Sequence, residues 1–256
     1  MTKVIILAAG SGSRLRPYTN NMPKGMVRVC GKPILEYQFE TLKAAGIEEV
    51  IVVCGYQKDK IISQSLKIQK VENTRWAETN MVRSLYCAKE WLNDDIILSY
   101  SDIIYEKSVL DKILECDDDI VISSDKEFLR YWKLRLENPL NDVESFATNE
   151  QGCIIDIGQK SDSLDSIQAQ YIGLMRFKKS GLDALNRILD EYSEKDEFDM
   201  MYMTDLLDHL IKKGVCLKPS YHDNSWLEID SVDDLKLAEK ALNGDLEVEL
   251  IQSFRN

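Results

Sequence analysis

The residues best suited to chemistry lie near the start of the chain. Leu7 and Ala8 lead into Ala9-Gly10-Ser11-Gly12-Ser13, a run of small side chains that ends on Arg14. Small residues directly after a strand let backbone N–H groups approach phosphates and a nucleobase. Arg16 and Pro17 come next, then Met22-Pro23-Lys24, which puts a second flanking cation ten residues after Arg14. Cations on both sides of a small-residue loop can clamp a triphosphate. Two familiar phosphate loops are excluded: the P-loop ends in Gly-Lys-Ser/Thr, which is absent, and the dinucleotide fingerprint needs a third glycine where Leu15 stands. The competing reading is a tight strand-to-helix turn with solvated Arg and Lys.

Carboxylates supply the second half of the pattern. Asp102 comes after Ser101 just past the apolar run Ile96 to Tyr100, and Glu228 and Asp230 stand two apart in a strand-like segment, where alternate residues share a face. Hard oxygen ligands suit Mg²⁺ or Mn²⁺, which keep waters and need only two or three carboxylates. Such an ion neutralises and aligns phosphates. The alternative for Asp230 is a plain helix cap.

Elements that could position these groups alternate along the first two-thirds of the chain. Val4 to Leu7 reads as a parallel strand buried on both faces. Pro33 opens a helix that carries Ile34, Tyr37, Gln38, Thr41, Leu42 and Ala45 at helical spacing, and Gly46 stops it. Val50 to Val53 is a strand, Lys58 to Leu66 a helix and Lys67 to Glu72 a strand. Met81 to Leu92 is a helix with Asn80 as N-cap. Asp95 to Tyr100 and Asp119 to Ser123 are strands around a helix at Ser108 to Leu114. This rhythm implies a Rossmann-like, three-layer α/β/α domain with a mixed, mostly parallel sheet. Beyond residue 125, Tyr131 to Leu136 and Cys153 to Ile157 read as antiparallel strands, and Gln170 to Phe177 as a further strand. They predict a β-rich insertion over 126–194 that covers the sheet's ligand edge, within one domain whose core is 1–125 and 195–243. Helices at Lys179 to Ser193 and Met203 to Lys213, a strand at Val215 to Lys218, and a final helix from Val232 to Leu242 capped by Ser231 complete the chain.

Composition narrows the partners. The chain has 256 residues, 44% of them hydrophobic, and a net charge of -12. That is enough for one full core, and the acidic balance argues against nucleic acid as a partner. No apolar run of about 18 residues spans a membrane. The six cysteines are widely spaced and read as reduced thiols of a cytoplasmic protein. Two histidines leave little for a zinc site or a Ser-His-Asp triad. The tail Asp245-Leu246-Glu247-Val248-Glu249 alternates charge and apolar character, as an edge strand at a dimer contact or a frayed end would; monomer and homodimer both stay open.

The segments LAAGSGSRLRP and MPKGM resemble the opening motif of the sugar-phosphate nucleotidyltransferase family. GKPILEYQFETLKAAGIEEVIVVCGYQ, ENTRWAETNMVRSLYCA and WLEIDSVDDL are similar to the branch of phosphocholine, phosphonate and phosphoglutamine cytidylyltransferases. The resemblance runs from residue 3 to about 240 and is weakest over 125–200. It implies CTP and a small phosphorylated metabolite as partners, a metal at Asp102 and Asp230 with Glu228 beside them, and a role in decorating cell-surface polysaccharide or lipid. Arg14 would hold the leaving pyrophosphate, and Lys24 would bridge the α-phosphate and the acceptor phosphate. The nucleotide pocket would use Leu7, Ala8, Ala9, Gly10, Gly12, Ser13, Gly55, Tyr56, Asn80, Ser84 and Ser101.

For the acceptor, Trp132 could pack on an alkyl or ammonium group, with Arg135, Glu144, Tyr171 and Asp205 around it. An aromatic among charges of both signs fits a zwitterionic amino-containing phosphate better than a neutral sugar. The alternatives are Trp132 as core with the charges as a solvated face, a sugar-1-phosphate enzyme using UTP, dTTP or GTP, a catalytically dead relative, and a plain nucleotide-binding module.

Overall fold

The computed structural model describes residues 2–246 and 250–251; the tail from Glu247 to Glu249, with its expected edge strand, lies outside them. The chain runs β1 (Lys3–Ala8), a short hairpin of β2 (Arg28–Val29) and β3 (Lys32–Pro33), α1 (Ile34–Ala44), β4 (Val50–Cys54), β5 (Ile68–Glu72), α2 (Met81–Cys87), β6 (Ile96–Tyr100), β7 (Ile103–Tyr105), α3 (Lys107–Glu115), β8 (Ile120–Asp125) and α4 (Phe128–Arg135). It continues with β9 (Glu144–Thr148), β10 (Ile154–Lys160), β11 (Gln170–Phe177), α5 (Lys179–Tyr192), α6 (Met203–Lys212), β12 (Lys218–His222), β13 (Trp226–Glu228) and α7 (Val232–Asn243).

Seven strands form the main sheet in the order β12-β8-β11-β6-β1-β4-β5. Neighbours are parallel except at β11, which runs antiparallel between β6 and β8. The strands β1, β4 and β6 are rich in Val and Ile and buried on both faces, as a sheet covered on two sides requires. Burying each such side chain contributes about 1.5–3 kcal/mol, so the pattern fixes which segments lie in the middle layer. Helices α1 and α3 pack together, and α2 and α5 pack with α6, giving the three-layer α/β/α order. The loops after β1, β4 and β6 therefore leave one edge together, where ligands bind in open α/β sheets. Because β11 is reversed, its N-terminal end reaches that same edge.

Ser231 caps α7 in a reciprocal box with Asp234, and Asn80 caps α2. Five expectations are corrected. The segment predicted as a strand over Tyr131 to Leu136 is α4, because Phe128, Tyr131 and Trp132 bury one helical stripe. Lys58 to Leu66 holds only one 3-10 turn, Lys58–Lys60. The helix predicted to Leu92 stops at Cys87, and a 3-10 turn comes after it. The cysteines are not all free thiols, since Cys153 and Cys216 form a disulfide, with Cα atoms 5.2 Å apart. It ties the start of β10 to the approach to β12. Strand β11 also belongs to the main sheet and not to the covering segment.

Candidate active site

Strand β1 delivers the small-residue loop to the sheet edge. Gly12 adopts φ 61, and a Cβ there would lie 2.8 Å from the Cβ of Lys24; a side chain would be strained in backbone and would push the lysine away. Thr19 Oγ donates to the Gly12 carbonyl at 2.8 Å, tying the loop to the 15–20 segment. On the far side, a Cβ on Gly55 would strike Trp76 at 2.5 Å, so Gly55 allows the close approach of the 73–80 loop.

These segments enclose a hollow of about 320 Å³, a volume suited to a small ligand. Of the expected nucleotide residues, Leu7, Ala9, Gly10, Gly12, Ser13, Asn80, Ser84 and Ser101 line it, together with Arg14, Lys24, Asp102 and Asp230. Ala8, Gly55 and Tyr56 stand behind the lining. Ala8 is paired within the sheet, and the Tyr56 hydroxyl donates to the Thr19 and Asn20 carbonyls. Ser11 of the loop and Met81 beside Asn80 also line the hollow, as do Trp76 and Thr79, which the sequence had not singled out. Buried Asn73 organises this wall, donating to Ser84 Oγ at 3.0 Å and Thr79 Oγ at 2.9 Å while accepting from the Arg75 amide.

A second hollow of about 210 Å³ adjoins the first and shares Arg14, Met81 and Asp230 with it. Trp132, Glu144 and Tyr171 line it, with Tyr100, Trp226 and Glu228. Two residues expected there are engaged elsewhere. Arg135 is 4% exposed at its side chain; it donates to Glu228 at 2.5 Å and Asp234 at 2.9 Å. The carboxylate of Asp205 accepts from the Tyr202 amide in the cap of α6. Neither is among the residues that line the hollow: Arg135 is taken up by the Glu228 and Asp234 carboxylates and Asp205 by a helix cap.

At the junction of the hollows four charged side chains meet. Lys24 Nζ lies 2.6 Å from Asp102 Oδ2 and also bonds Asp230. Arg14 reaches Asp230 at 3.0 Å from an exposed position. Strand pairing brings the two acids together: Glu228 sits opposite Ile103 in the β13–β7 pair, and the Ile229 amide donates to the Asp102 carbonyl. Asp230 lies just beyond β13, whereas Glu228 ends that strand on the side of the second hollow, against Arg135. Gln38, buried in α1, donates to the carbonyls of Tyr100 and Ile103 and so braces the Ser101-Asp102 bend. A glutamine on an otherwise apolar helix stripe was the available sequence signal for this role.

The electrostatics stem from this crowding. Burial works against the Lys24 ammonium, yet Asp102 and Asp230 raise its pKa above the ordinary lysine value. Burial also disfavours the Asp230 carboxylate, but Lys24, Arg14 and Arg135 hold its pKa below the usual range. For Glu228 burial pushes the carboxyl up, against the pull of Arg135. Glu144 is pushed up to about 7 by desolvation, with Asp142 and Asp205 adding to it.

A model of the MobA-like NTP transferase domain matches residues 4–193. The chain belongs to that family. It is a nucleotidyltransferase, and its curated relatives include cytidylyltransferases. It is 39% identical over 249 residues to the CTP:phosphoglutamine cytidylyltransferase of Campylobacter jejuni, covering 91% of this chain and 97% of that protein. It is 28% identical to the choline-phosphate cytidylyltransferase of Streptococcus pneumoniae, covering 95% and 99%. Among solved structures, the CTP:phosphocholine cytidylyltransferase of Streptococcus pneumoniae superposes with a TM-score of 0.73 at 24% identity, over 93% of this chain and 98% of that one. The inositol-1-phosphate CTP transferase of T. maritima gives 0.75 at 23%, over 93% and 94%. These two likenesses establish the shared fold.

Members of this family generally use a divalent metal. Among the described residues no three His, Cys, Asp or Glu side chains gather as a ready ligand set. The two carboxylates at Lys24 nonetheless fit such an ion: Asp102 Oδ1 is buried without a hydrogen-bond partner, an oxygen left over for a cation, and Mg²⁺ completes its shell with waters and phosphates. No helix among the described residues is long and apolar enough to cross a membrane.

Proposed function

We propose that this nucleotidyltransferase moves CMP from CTP to a small phosphorylated or phosphono metabolite that carries an amino group. The carrying observation is the pair of adjoining hollows that share Arg14, Met81 and Asp230, with Lys24 and Asp102 at their junction. The larger hollow takes the nucleotide and the smaller one the acceptor.

An acceptor oxygen, ionised at neutral pH, forms the new bond to the α-phosphorus. The bond from that phosphorus to its bridging oxygen breaks, and pyrophosphate leaves with the electron pair. No protein base is needed, so the protein's contribution is position and charge. Arg14, exposed at the mouth beside Asp230, steadies the departing pyrophosphate. Lys24, at the junction, neutralises charge on the α-phosphate and the acceptor phosphate. Asp102 and Asp230 would hold Mg²⁺ or Mn²⁺, which when bound aligns the triphosphate and offsets its charge. Asn80, Ser84, Thr79 and the loop backbone around Ala9 offer small polar groups to the base and ribose.

Charge supports an amino-containing acceptor. The smaller hollow is lined by Asp142, Glu144, Glu228 and Asp230, with Arg14 as its lining cation and Tyr100, Trp132, Tyr171 and Trp226 as aromatic walls. Glu228 and Asp230 have arginine partners and Asp142 accepts from the Trp132 indole, whereas Glu144 shows no ion pair among the described residues. Aromatic faces and a free carboxylate attract an ammonium. The cytoplasm and surface-polysaccharide or lipid decoration are the setting this reading favours.

The test is pyrophosphate release with CTP, UTP, dTTP and GTP, each offered phosphocholine, phosphoethanolamine, aminoethylphosphonate, phosphoglutamine and glucose-1-phosphate in the presence of Mg²⁺. Release with CTP and an amine-bearing acceptor is expected. Preference for a sugar phosphate with another nucleotide would overturn the reading.

A further inference from the structure

Behind the acceptor hollow lies a buried carboxylate that the transfer chemistry does not use. Asp125 ends β8, fully buried, and no Lys or Arg among the described residues pairs with it. Three N–H groups hold it instead: Trp226 Nε1 donates to Oδ2 at 2.8 Å, while the amides of Asn224 and Glu127 donate to Oδ1 at 3.0 and 2.9 Å. A buried charge without a counterion is costly unless fully hydrogen-bonded, so a fold that keeps one calls for a local reason.

The surroundings supply it. Asn224 and Ser225 both adopt left-handed backbone, with φ 51 and 66, a strained choice for side-chain-bearing residues that persists only where neighbours over-determine it. Here the Asn224 amide is fixed by Asp125, its carbonyl by His222 Nδ1, the Ser225 amide by the Leu250 carbonyl, and the Ser225 carbonyl by the Glu106 amide. The strained pair turns the chain directly into β13, where Trp226 and Glu228 occupy one face of the strand and both line the acceptor hollow. At its other end β13 is held by the Tyr131 hydroxyl, which donates to the Glu228 carbonyl and accepts from the Glu228 amide. Trp226 also stands edge-on to Tyr131 at 5.5 Å and against Trp132 at 6.0 Å.

We infer that Asp125 is a positioning residue for the acceptor: by gripping the Trp226 indole and the 224–225 turn, it sets the aromatic wall and the offset of Glu228, while the nucleotide hollow is independent of it. This rests on the proposed acceptor reading. Asp125 lines neither hollow, so its effect must travel through Trp226.

The test combines Asp125→Asn, Trp226→Phe and the double variant in the full chain. Asp125→Asn keeps the shape but cannot accept from all three donors. With phosphocholine and phosphoethanolamine as acceptors, each single variant should raise the acceptor KM on the order of tenfold and leave the CTP KM within about twofold, and the double variant should add nothing further. Equal rises in both KM values, or additive losses, would mean general destabilisation and overturn the inference. A second readout needs no turnover: with 5-fluorotryptophan incorporated, the ¹⁹F resonance absent from Trp226→Phe should move in Asp125→Asn. An unmoved resonance overturns the inference even if the wild type accepts neither amine, whereas absent wild-type turnover with a moved resonance counts against the functional reading alone.

Discussion

Lys24 and Asp102 are 78 positions apart in the chain, yet the lysine ammonium sits 2.6 Å from the aspartate Oδ2, with Asp230 closing on the same nitrogen from the C-terminal segment. One ammonium thus pairs with both acids, and Arg14 brings a second positive charge to Asp230.

Replacing Lys24 with Met should lower turnover about a hundredfold or more, the scale of losing one preorganised charge contact, without preventing folding. It also leaves Asp102 and Asp230 facing each other, so the melting temperature should fall. Mg²⁺ should raise it again more than in the wild type, because a cation between the acids replaces the lost charge. Thermal melts with and without Mg²⁺, beside pyrophosphate release, check both halves. A Mg²⁺ response no larger than that of the wild type would detach the two acids from metal binding.

Arg135 is a stability residue in this arrangement. Its guanidinium lies between Glu228 and Asp234, and the same Asp234 makes the capping box of α7. Arg135→Met would strand buried carboxylates, at a cost of about 3–5 kcal/mol. Urea denaturation should show that loss. A change below about 1 kcal/mol, the worth of an exposed pair, would place the arginine's role in ligand binding instead.

Acceptor recognition should respond to pH through Glu144, whose carboxyl is pushed up to about 7 by burial, then by Asp142 and Asp205. Below that value the group is neutral and gives an ammonium nothing to pair with. Above it the anion forms, so kcat/KM for the acceptor should rise as pH increases through about 7. The acceptor phosphate titrates near pH ~6 and contributes its own rise. Glu144→Gln separates the two by removing only the component that belongs to the carboxyl. Identical profiles for wild type and variant would exclude Glu144.

The Cys153–Cys216 disulfide spans 63 positions and ties β10 to the run into β12. Reduction, or Cys153→Ser with Cys216→Ser, should lower stability by about 2–4 kcal/mol. Denaturation with and without dithiothreitol measures this, and the Ser variant should no longer respond to reductant.

Local order was legible in the chain itself. The apolar β-branched runs marked the central strands, because only buried strands accommodate them. Ser231 and Asn80 announced two helix caps, since each acts through its own backbone neighbourhood. The small-residue loop that lines the first hollow was readable for the same reason: it comes directly after one strand. Relationships between distant segments were not. Trp132 and Arg135 look like an acceptor patch in sequence, but α4 buries Arg135 on Glu228 and Asp234, and nothing local reveals those partners. The disulfide was equally hidden, as spacing says nothing about proximity across 63 positions. Tertiary structure alone decided that Asp102 and Asp230 meet on one lysine, that Glu228 lines the second hollow, and that Asp125 holds Trp226. The reason is that β7 pairs with β13 and so brings residues far apart in the chain to one sheet edge.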